Sequence, residues 1–580
     1  MTATATVRRA YARIAATERP GVWISLRPEH DARADARKID RRLDDGEILP
    51  LAGTTVAVKD NIDVAGLETT AACPSFAYRA DADAAVVARL KAAGAIVLGK
   101  TNMDQFATGL TGTRSPYGVV HDARRPEYVS GGSSSGSAVA VALAQVDLAL
   151  GTDTAGSGRV PAAFQGIFGI KPTRGLAPTL GVVPACRTLD CVSVFAGTLE
   201  LAHRAIAVMR GPHADDPTSR AWPADTPLGA PPEPVIAVPS PDQLDVLSPA
   251  ERRAFAAARA RLREFGAVVI EIDLTSFLAA GRLLYDGAFV AERYAAFGAF
   301  VEGHPEDADA AVAAVIAAAK SVPAERLVSD GARLSEFRQA ASRELAGAHA
   351  LMLPTTTSQP TIAEVLADPA GVNARLGTYT NFCNLFDMCA IAAPAGDADG
   401  GYFGVALYAP AFHDLVLVDL AARMTAAAPL APTGGPPSVE LFVVGAHLSG
   451  QPLNHQLTDR GGRLLRDART SSRYRLFALT TRSADAGPAK PGLLRVDAED
   501  ADGESIAGEL WALPVAGLGS LLAGLPAPMA LGRVELIDGT VPIGFLCEPS
   551  ALSDAPEITA YGGWRAYLSA SGGTVTLNTL

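Results

Sequence analysis

The chain has 580 residues and a formal net charge of −12, with 48% hydrophobic and 19% charged residues. This length exceeds one ordinary domain and the composition is typical of a well-packed globular protein, so we expect two domains. The net negative charge argues against a nucleic-acid-binding function, because such a surface needs clustered lysine and arginine.

The amino terminus gives no sign of export. Residues 1–20 lack the apolar core of a secretory signal, and the most apolar stretch, 138–150, is interrupted by Gln145 and Asp147 and is too short to cross a bilayer. The six cysteines follow no C-x-x-C spacing, which favours buried thiols in a reducing compartment and no metal site. We therefore expect a cytoplasmic protein that binds neither membrane nor nucleic acid.

The first predicted elements alternate between helix and strand. Mixed charges over Asp31–Asp45 predict a helix with a solvated face. β-Branched and apolar runs predict strands over Val56–Val58 and Ile96–Leu98, with a helix over Ala84–Ala92 between them. This alternation is typical of an α/β layer fold, although alone it does not exclude a doubly wound dehydrogenase.

Lys59 stands at the end of the first predicted strand, in the sequence Val-Ala-Val-Lys-Asp-Asn. Burial would disfavour its charged form and lower its pKa, which leaves an amine able to accept a proton. Taken alone, the residue fits better as a lysine at a solvated strand end.

Two glycine- and serine-rich blocks follow. Residues 131–137 read Gly-Gly-Ser-Ser-Ser-Gly-Ser, and residues 151–161 read Gly-Thr-Asp-Thr-Ala-Gly-Ser-Gly-Arg-Val-Pro. A serine nucleophile needs a neighbouring group to take its proton, usually a histidine. The nine histidines are scattered, and none lies in a nucleophile-elbow context. Because a neutral lysine can replace histidine, these serines together with Lys59 indicate a hydrolase.

The combination of Lys59 with the two blocks resembles the amidase signature family. The resemblance implies a catalytic triad in which Lys59 is the base, Ser133 is a bridging serine behind a cis peptide bond, and Ser157 is the nucleophile. In that arrangement Ser133 takes the proton of Ser157 while passing its own to neutral Lys59. The family also implies a large mixed sheet flanked by helices.

Small residues precede Ser157, so backbone N–H groups there can converge on one point. The resemblance implies an oxyanion hole at Thr154, Ala155 and Gly156, although a turn that merely redirects the chain stays an alternative. Ala155 replaces the first glycine of the usual Gly-Gly-Ser, and this variant resembles the allophanate hydrolase branch of the family. Further stretches resemble that branch: Ala71–Pro74, Thr378–Phe382 and Leu441–Leu448.

The branch implies hydrolysis of allophanate, a urea derivative bearing a carboxylate, to ammonia and carbon dioxide through N-carboxycarbamate, without metal or organic cofactor. Its substrate-contacting residues correspond to Tyr285 and Arg293, and the planar guanidinium of arginine suits a carboxylate. Periodicity alone predicts instead one amphipathic helix with Tyr285 in the core and Arg293 on the surface. On such a helix the two residues lie about 12 Å apart along the axis, so Arg293 would have to reach back toward the ligand.

Prolines and glycines over Ala426–Pro437 predict a domain boundary. We place an amidase domain at 1–427, a linker at 428–438 and a second domain at 439–580. The second domain is strand-rich and resembles the γ-glutamylcyclotransferase-like fold, a small α+β barrel. Its predicted strands are Leu441–Val444, Tyr474–Thr480, Ile506–Leu513, Gly532–Ile537 and Val541–Leu546.

His447, in a glycine-rich turn, is a candidate for separate chemistry in the second domain. It could protonate N-carboxycarbamate and speed its decarboxylation, or it could simply satisfy the turn. No acidic residue occurs from Ala512 to Val534, where the resembled cyclotransferases carry a catalytic acid, so cyclotransferase chemistry is not expected.

The resemblance suggests a homodimer and a functional link to a urea carboxylase, within urea or cyanuric acid degradation. No biotin-carrying Met-Lys-Met segment is present, so we expect the carboxylase on a separate chain. Two alternatives stay open: a general amidase or glutaminase-type member of an amidotransferase within the same family, and a binding protein with an inactive amidase fold.

Overall fold

The computed structural model describes residues 2–428, 430–431, 433–479, 489–497 and 503–571. The chain divides into two units, Met1–Ala221 with Pro234–Gly434, and Trp222–Glu233 with Gly435–Leu580. The second unit thus includes Trp222–Glu233, a segment inside the range predicted for the first domain. The Leu228 N–H in this segment donates a hydrogen bond to the Gly461 carbonyl (2.9 Å). Pro429 and Pro432 of the predicted linker lie outside the described residues.

An eleven-stranded mixed sheet runs through the first unit in the order β1-β5-β2-β6-β8-β7-β12-β13-β11-β9-β10, and β3 pairs separately with β4. The α/β prediction of a large mixed sheet is confirmed. The strands are β1 (Trp23–Leu26), β2 (Thr55–Lys59), β3 (Glu68–Thr69), β4 (Tyr78–Arg79), β5 (Ile96–Thr101), β6 (Leu148–Asp153), β7 (Phe168–Lys171), β8 (Cys191–Ala196), β9 (Val235–Pro239), β10 (Val268–Ile272), β11 (Ala350–Pro354), β12 (Met388–Ala398) and β13 (Gly401–Pro410).

The helices predicted over Asp31–Asp45 and Ala84–Ala92 are both present in the first unit. The α-helices that the structure describes there are α1 (Ala3–Ala16), α2 (Glu29–Asp44), α3 (Ala85–Ala92), α4 (Ser135–Ala142), α5 (Val160–Gln165), α6 (Leu199–Met209), α7 (Pro249–Glu264), α8 (Thr275–Arg282), α9 (Ala291–Gly303), α10 (Ala310–Lys320), α11 (Ala324–Glu344), α12 (Ile362–Ala367), α13 (Pro369–Leu376), α14 (Phe382–Leu385) and α15 (Asp414–Met424). Of the helices that the structure describes, none is long and apolar enough to span a membrane.

The strands β2, β5 and β6 position the site. They are parallel neighbours, and every residue in all three is buried, as expected for strands covered on both faces. Their carboxyl ends therefore meet at one edge of the sheet. The helix α4 consists of small residues, and at Gly136 an added Cβ would collide with the Val22 carbonyl oxygen, so the helix lies close against the neighbouring backbone.

The second unit contains a five-stranded sheet in the order β15-β18-β14-β20-β19 and a two-stranded sheet of β16 and β17, and Trp511 is completely buried in the core of this unit. Its elements are β14 (Ser438–Val443), β15 (Arg463–Arg469), β16 (Tyr474–Ala478), β17 (Pro491–Arg495), β18 (Ala507–Pro514), β19 (Met529–Arg533), β20 (Ile543–Cys547), α16 (His455–Thr458), α17 (Val515–Ala523) and α18 (Trp564–Ala570).

Four of the five strands predicted there coincide with β14, β16, β18 and β20, within two or three residues at their ends. Thr480, the end of one prediction, lies outside the described residues. The strand predicted at Gly532–Ile537 is displaced, because β19 pairs with β20 from Met529 to Arg533. The sequence missed β15 and β17. The barrel-like resemblance stays a prediction.

Candidate active site

Lys59 is the last residue of β2, and its side chain is completely buried. Its Nζ lies 2.8 Å from Ser133 Oγ and 2.7 Å from Thr152 Oγ1. Burial lowers the pKa of Lys59 to about 7, although nearby carboxylates, first among them Asp104, oppose this shift. A substantial fraction of Lys59 is therefore a neutral amine near pH 7, as a general base requires.

Ser133 is held by the loop that precedes α4. The Gly132–Ser133 peptide bond is cis, as the family resemblance implied. The Asp104 carboxylate accepts hydrogen bonds from the N–H groups of Thr111 (3.1 Å) and Gly112 (3.0 Å), and the Asp104 N–H donates to the Ser133 carbonyl (3.1 Å). An added Cβ at Gly132 would collide with Asp104 Oδ2, so this position needs glycine.

Ser157 lies in the loop between β6 and α5 and is 3% exposed. A buried ion pair closes this loop, with Arg159 Nη2 at 2.8 Å from Asp153 Oδ1 and Arg159 Nε at 2.8 Å from Asp153 Oδ2. Although burial raises the pKa of Asp153, the Arg159 guanidinium holds it below its ordinary value. The Gly158 N–H donates to the same carboxylate (3.0 Å).

The expected hydrogen bond between Ser157 and Ser133 is not formed. Within the described part of the chain, the Ser157 hydroxyl has no hydrogen-bond partner, whereas Ser133 is bound to Lys59. The structure thus unites two members of the predicted triad and leaves the third hydroxyl unengaged.

The predicted oxyanion loop offers free donors. Among the described residues, the N–H groups of Ala155, Gly156 and Ser157 donate to no protein acceptor, and all three residues are buried. Buried N–H groups are rarely left unpaired, so this arrangement suits a developing oxyanion. The Thr154 side chain is fixed differently, because its hydroxyl donates to Asp190 Oδ1 (2.5 Å).

Tyr285 and Arg293 do not share one helix, contrary to the prediction from periodicity. The helix α8 ends at Arg282, and α9 begins at Ala291 after a segment that contains the short 3-10 helix Ala288–Val290. The Tyr285 hydroxyl lies 3.0 Å from Arg293 Nη2, and the guanidinium carbon lies 4.5 Å from the Tyr285 ring centroid. Arg293 is 0% exposed, so its predicted surface position is also wrong.

The Arg293 guanidinium is completely buried, and although burial lowers its pKa, neighbouring groups that include Asp190 and Glu292 raise it. It donates to Cys186 Sγ (3.1 Å), and in the part of the chain that the structure describes no Asp or Glu forms an ion pair with it. Its Nε is buried without a hydrogen bond there. Since buried charges are normally paired, this guanidinium has the capacity to bind a carboxylate.

Sequence reasoning missed Thr152, Asp104, Asp190 and Cys186. Asp190 is buried, and burial raises its pKa to about 6. It directly precedes the apolar strand β8. Its position as a polar residue next to an apolar strand is the sequence signal that could have identified Asp190.

His447 belongs to the second unit and is stacked on Phe545, with ring centroids 4.5 Å apart. Its Nε2 lies 3.0 Å from Gln456 Oε1, and its carbonyl accepts a hydrogen bond from Asn454 (2.9 Å). Burial lowers the pKa of His447. Both interpretations of this residue, turn-satisfying and catalytic, stay open.

Known families match both parts of the chain. Residues 5–418 match the Amidase family, and residues 439–569 match the allophanate hydrolase C-terminal domain. The urea amidolyase of Saccharomyces cerevisiae is 42% identical over 577 residues, which cover 94% of this chain and 31% of that protein. The chain thus spans about a third of the length of the urea amidolyases it matches.

Two further similarities cover nearly the whole length of other proteins. A glutamyl-tRNA(Gln) amidotransferase component of Halobacterium salinarum is 34% identical over 65% of this chain and 95% of its own length. The solved structure of Kluyveromyces lactis allophanate hydrolase superposes with a TM-score of 0.84 at 37% identity, covering 98% of this chain and 97% of that one. The chain therefore belongs to the amidase family, with an amidase domain followed by an allophanate hydrolase C-terminal domain.

Proposed function

We propose that the protein is an allophanate hydrolase, which converts allophanate to ammonia and carbon dioxide through N-carboxycarbamate. The observation that carries this proposal is Arg293, a completely buried guanidinium that has no ion pair with a carboxylate among the described residues. An amide substrate that brings its own carboxylate supplies that partner. Tyr285, at hydrogen-bonding distance from Arg293, is positioned to share in binding it.

The reaction uses Ser157 as nucleophile, Ser133 as bridge and Lys59 as base. Rotation of the Ser157 side chain toward Ser133 completes the relay, in which Ser133 takes the Ser157 proton and gives its own to Lys59. The free N–H groups of Ala155 and Gly156 receive the oxyanion of the tetrahedral intermediate. Ammonia leaves with a proton returned along the relay, and water then releases N-carboxycarbamate from Ser157.

Substrate comparison tests the proposal. Ammonia release is measured from allophanate, malonamide, glutamine and urea, and we expect kcat/KM to be highest for allophanate. Glutaminase activity without allophanate turnover would favour the amidotransferase-type alternative and overturn the proposal.

Labelling by a fluorophosphonate probe tests the nucleophile separately. Wild-type protein should be labelled at Ser157, and Ser157→Ala should not be labelled and should release no ammonia. Ser135→Ala is the matched control, because Ser135 is a buried serine in α4 whose hydroxyl donates to the Asn102 carbonyl (3.4 Å). An unlabelled wild type would support the inactive-scaffold alternative.

The domain limits, the cellular location, the oligomeric state and the source of the substrate are part of the same proposal. We assign an amidase domain to 1–427, a linker to 428–438 and the second domain to 439–580, and the two family matches, 5–418 and 439–569, support these limits. We also propose a cytoplasmic homodimer that receives allophanate from a urea carboxylase; the similarity to urea amidolyases supports the link to urea degradation. Sedimentation analysis of the purified protein checks the dimer.

A further inference from the structure

The segment Ala185–Asp190, which leads into β8, contacts both parts of the candidate site. At its end, Asp190 Oδ1 accepts the hydrogen bond from the Thr154 hydroxyl, which belongs to the oxyanion loop (2.5 Å). Near its beginning, Cys186 Sγ accepts a hydrogen bond from Arg293 Nη1 (3.1 Å). One short segment thus touches the group next to the nucleophile and the group assigned to the substrate carboxylate.

Hydrogen bonds within the segment hold its two ends together. Asp190 Oδ2 accepts hydrogen bonds from the N–H groups of Ala185 (2.8 Å) and Cys186 (3.2 Å). In return, the N–H groups of Leu189 and Asp190 both donate to the Cys186 carbonyl (2.9 Å each). The Asp190 carboxylate therefore fixes Cys186 relative to Thr154, and a displacement of Cys186 would break several hydrogen bonds at once.

A thiol at position 186 has a chemical consequence for Arg293. Burial raises the pKa of Cys186 to about 12, so the sulfur is a neutral acceptor. It can orient the guanidinium without cancelling its charge, whereas a carboxylate there would pair with Arg293 and compete with the ligand. Arginine side chains also lose much rotamer freedom when they bind a ligand. The contacts with Cys186 and Tyr285 already restrict Arg293 in the free protein, so less freedom is lost on binding.

We propose that Cys186 and Asp190 are positioning residues that hold Arg293 at a fixed distance from the oxyanion loop. The site then selects amides whose carboxylate is separated from the scissile carbonyl by a single atom, as in allophanate and malonamate. Amides with a longer spacer, such as succinamate, are rejected. This inference rests on the proposed function and adds the residues that set the accepted length of the substrate.

The main test compares wild type with Cys186→Ala on malonamate, succinamate and the neutral amide acetamide. We expect Cys186→Ala to raise KM for malonamate about 10-fold, the loss of one hydrogen bond to a charged group, and to reduce the preference over succinamate. The kcat/KM for acetamide should fall much less than that for malonamate, because acetamide has no carboxylate for Arg293. Cys186→Ser should restore the preference, since a hydroxyl is also an acceptor.

Two further variants separate positioning from simple destabilisation. Cys547→Ala removes a buried thiol from the second unit and should change none of these constants. Asp190→Asn should raise KM for malonamate about 10-fold, as Cys186→Ala does, because an amide NH2 group in place of Oδ2 cannot accept the hydrogen bonds from the Ala185 and Cys186 N–H groups that hold Cys186. Equal changes of KM for malonamate and acetamide in Cys186→Ala, or an unchanged preference over succinamate, would overturn the inference.

Binding measurements test this inference without relying on turnover. In a Ser157→Ala background, calorimetry should give a lower Kd for malonamate than for succinamate, and Cys186→Ala should bring the two values together. If the wild type releases no ammonia from allophanate while this binding pattern holds, the proposed reaction fails and the positioning role stands. If the two Kd values are already equal with Cys186 present, the positioning role fails.

Discussion

Lys59 and Lys100 occupy neighbouring parallel strands, β2 and β5, and both are completely buried. Their surroundings differ. Lys100 Nζ lies 3.3 Å from Asp60 Oδ1, whereas Lys59 contacts the hydroxyls of Ser133 and Thr152 and forms no ion pair with any described carboxylate. Burial lowers the pKa of both lysines, but Lys100 keeps a charged partner and Lys59 does not.

The buried arginines Arg159 and Arg293 differ in the same way as the two lysines. Arg159 makes two hydrogen bonds of 2.8 Å to the Asp153 carboxylate, and Arg293 donates to a thiol and a phenol instead. Arg159 and Lys100 complete their charge balance within the fold. Lys59 and Arg293 form no direct ion pair with a carboxylate among the described residues, which leaves one able to accept a proton and the other able to bind an anion. The comparison separates cations that hold the structure from the two cations to which the proposed function assigns a role with the substrate.

Removing the two lysines gives the sharpest test of this contrast. We expect Lys59→Met to lower kcat by about 10²- to 10⁴-fold, the usual contribution of a general base, with little change in thermal stability. Lys100→Met should destabilise the protein by about 3–5 kcal/mol, since Asp60 stays buried without its partner. Steady-state kinetics and urea denaturation measure the two effects. Equal destabilisation by both changes would contradict the comparison.

The arginine of the nucleophile loop extends the test to stability. Arg159→Met should reduce the free energy of unfolding by about 3–5 kcal/mol, because the Asp153 carboxylate would stay buried and unpaired. The double variant Arg159→Met with Asp153→Leu should recover much of this loss. Urea denaturation of the full chain provides the values, and a double variant no more stable than the single one would argue against an ion-pair origin.

Sequence patterns predicted the helices and strands that are favoured by their own residues. The β-branched run before Lys59 is sufficient for β2, and the spacing of apolar residues is sufficient for α3, because burial on the sheet reinforces both preferences. The resemblance to a family brought Lys59 and Ser133 together, which are far apart in sequence and which periodicity could not connect.

The break between α8 and α9 shows what sequence could not predict. The Ala288 N–H donates to Asp330 Oδ2 on α11 (2.8 Å), and an added Cβ at Gly287 would lie 2.9 Å from the same oxygen. This distant carboxylate satisfies the backbone where the helix is interrupted, so a continuous helix is not needed there. Cys186 was missed for a similar reason, since its contact with Arg293 is visible only in three dimensions.

Arg293→Met should affect binding more than folding, unlike the change at Arg159. We expect KM for allophanate to rise about 10- to 100-fold, the range for losing charge-assisted hydrogen bonds, while the free energy of unfolding changes little. Acetamide turnover serves as the internal control, because that substrate carries no carboxylate. An unchanged KM for allophanate would show that the carboxylate binds elsewhere.

The pH dependence gives the smallest and most specific effect. Protonated Lys59 cannot act as a base, so kcat/KM should rise with pH through about 7 and level off above it. Asp190 raises the pKa of Lys59 electrostatically, and its own pKa of about 6 places it near the same pH range. Asp190→Asn removes this negative charge, so the rise should move to lower pH. A rise that vanished in Asp190→Asn would instead assign the titration to Asp190, and Lys59 would then not be the group whose deprotonation limits the rate.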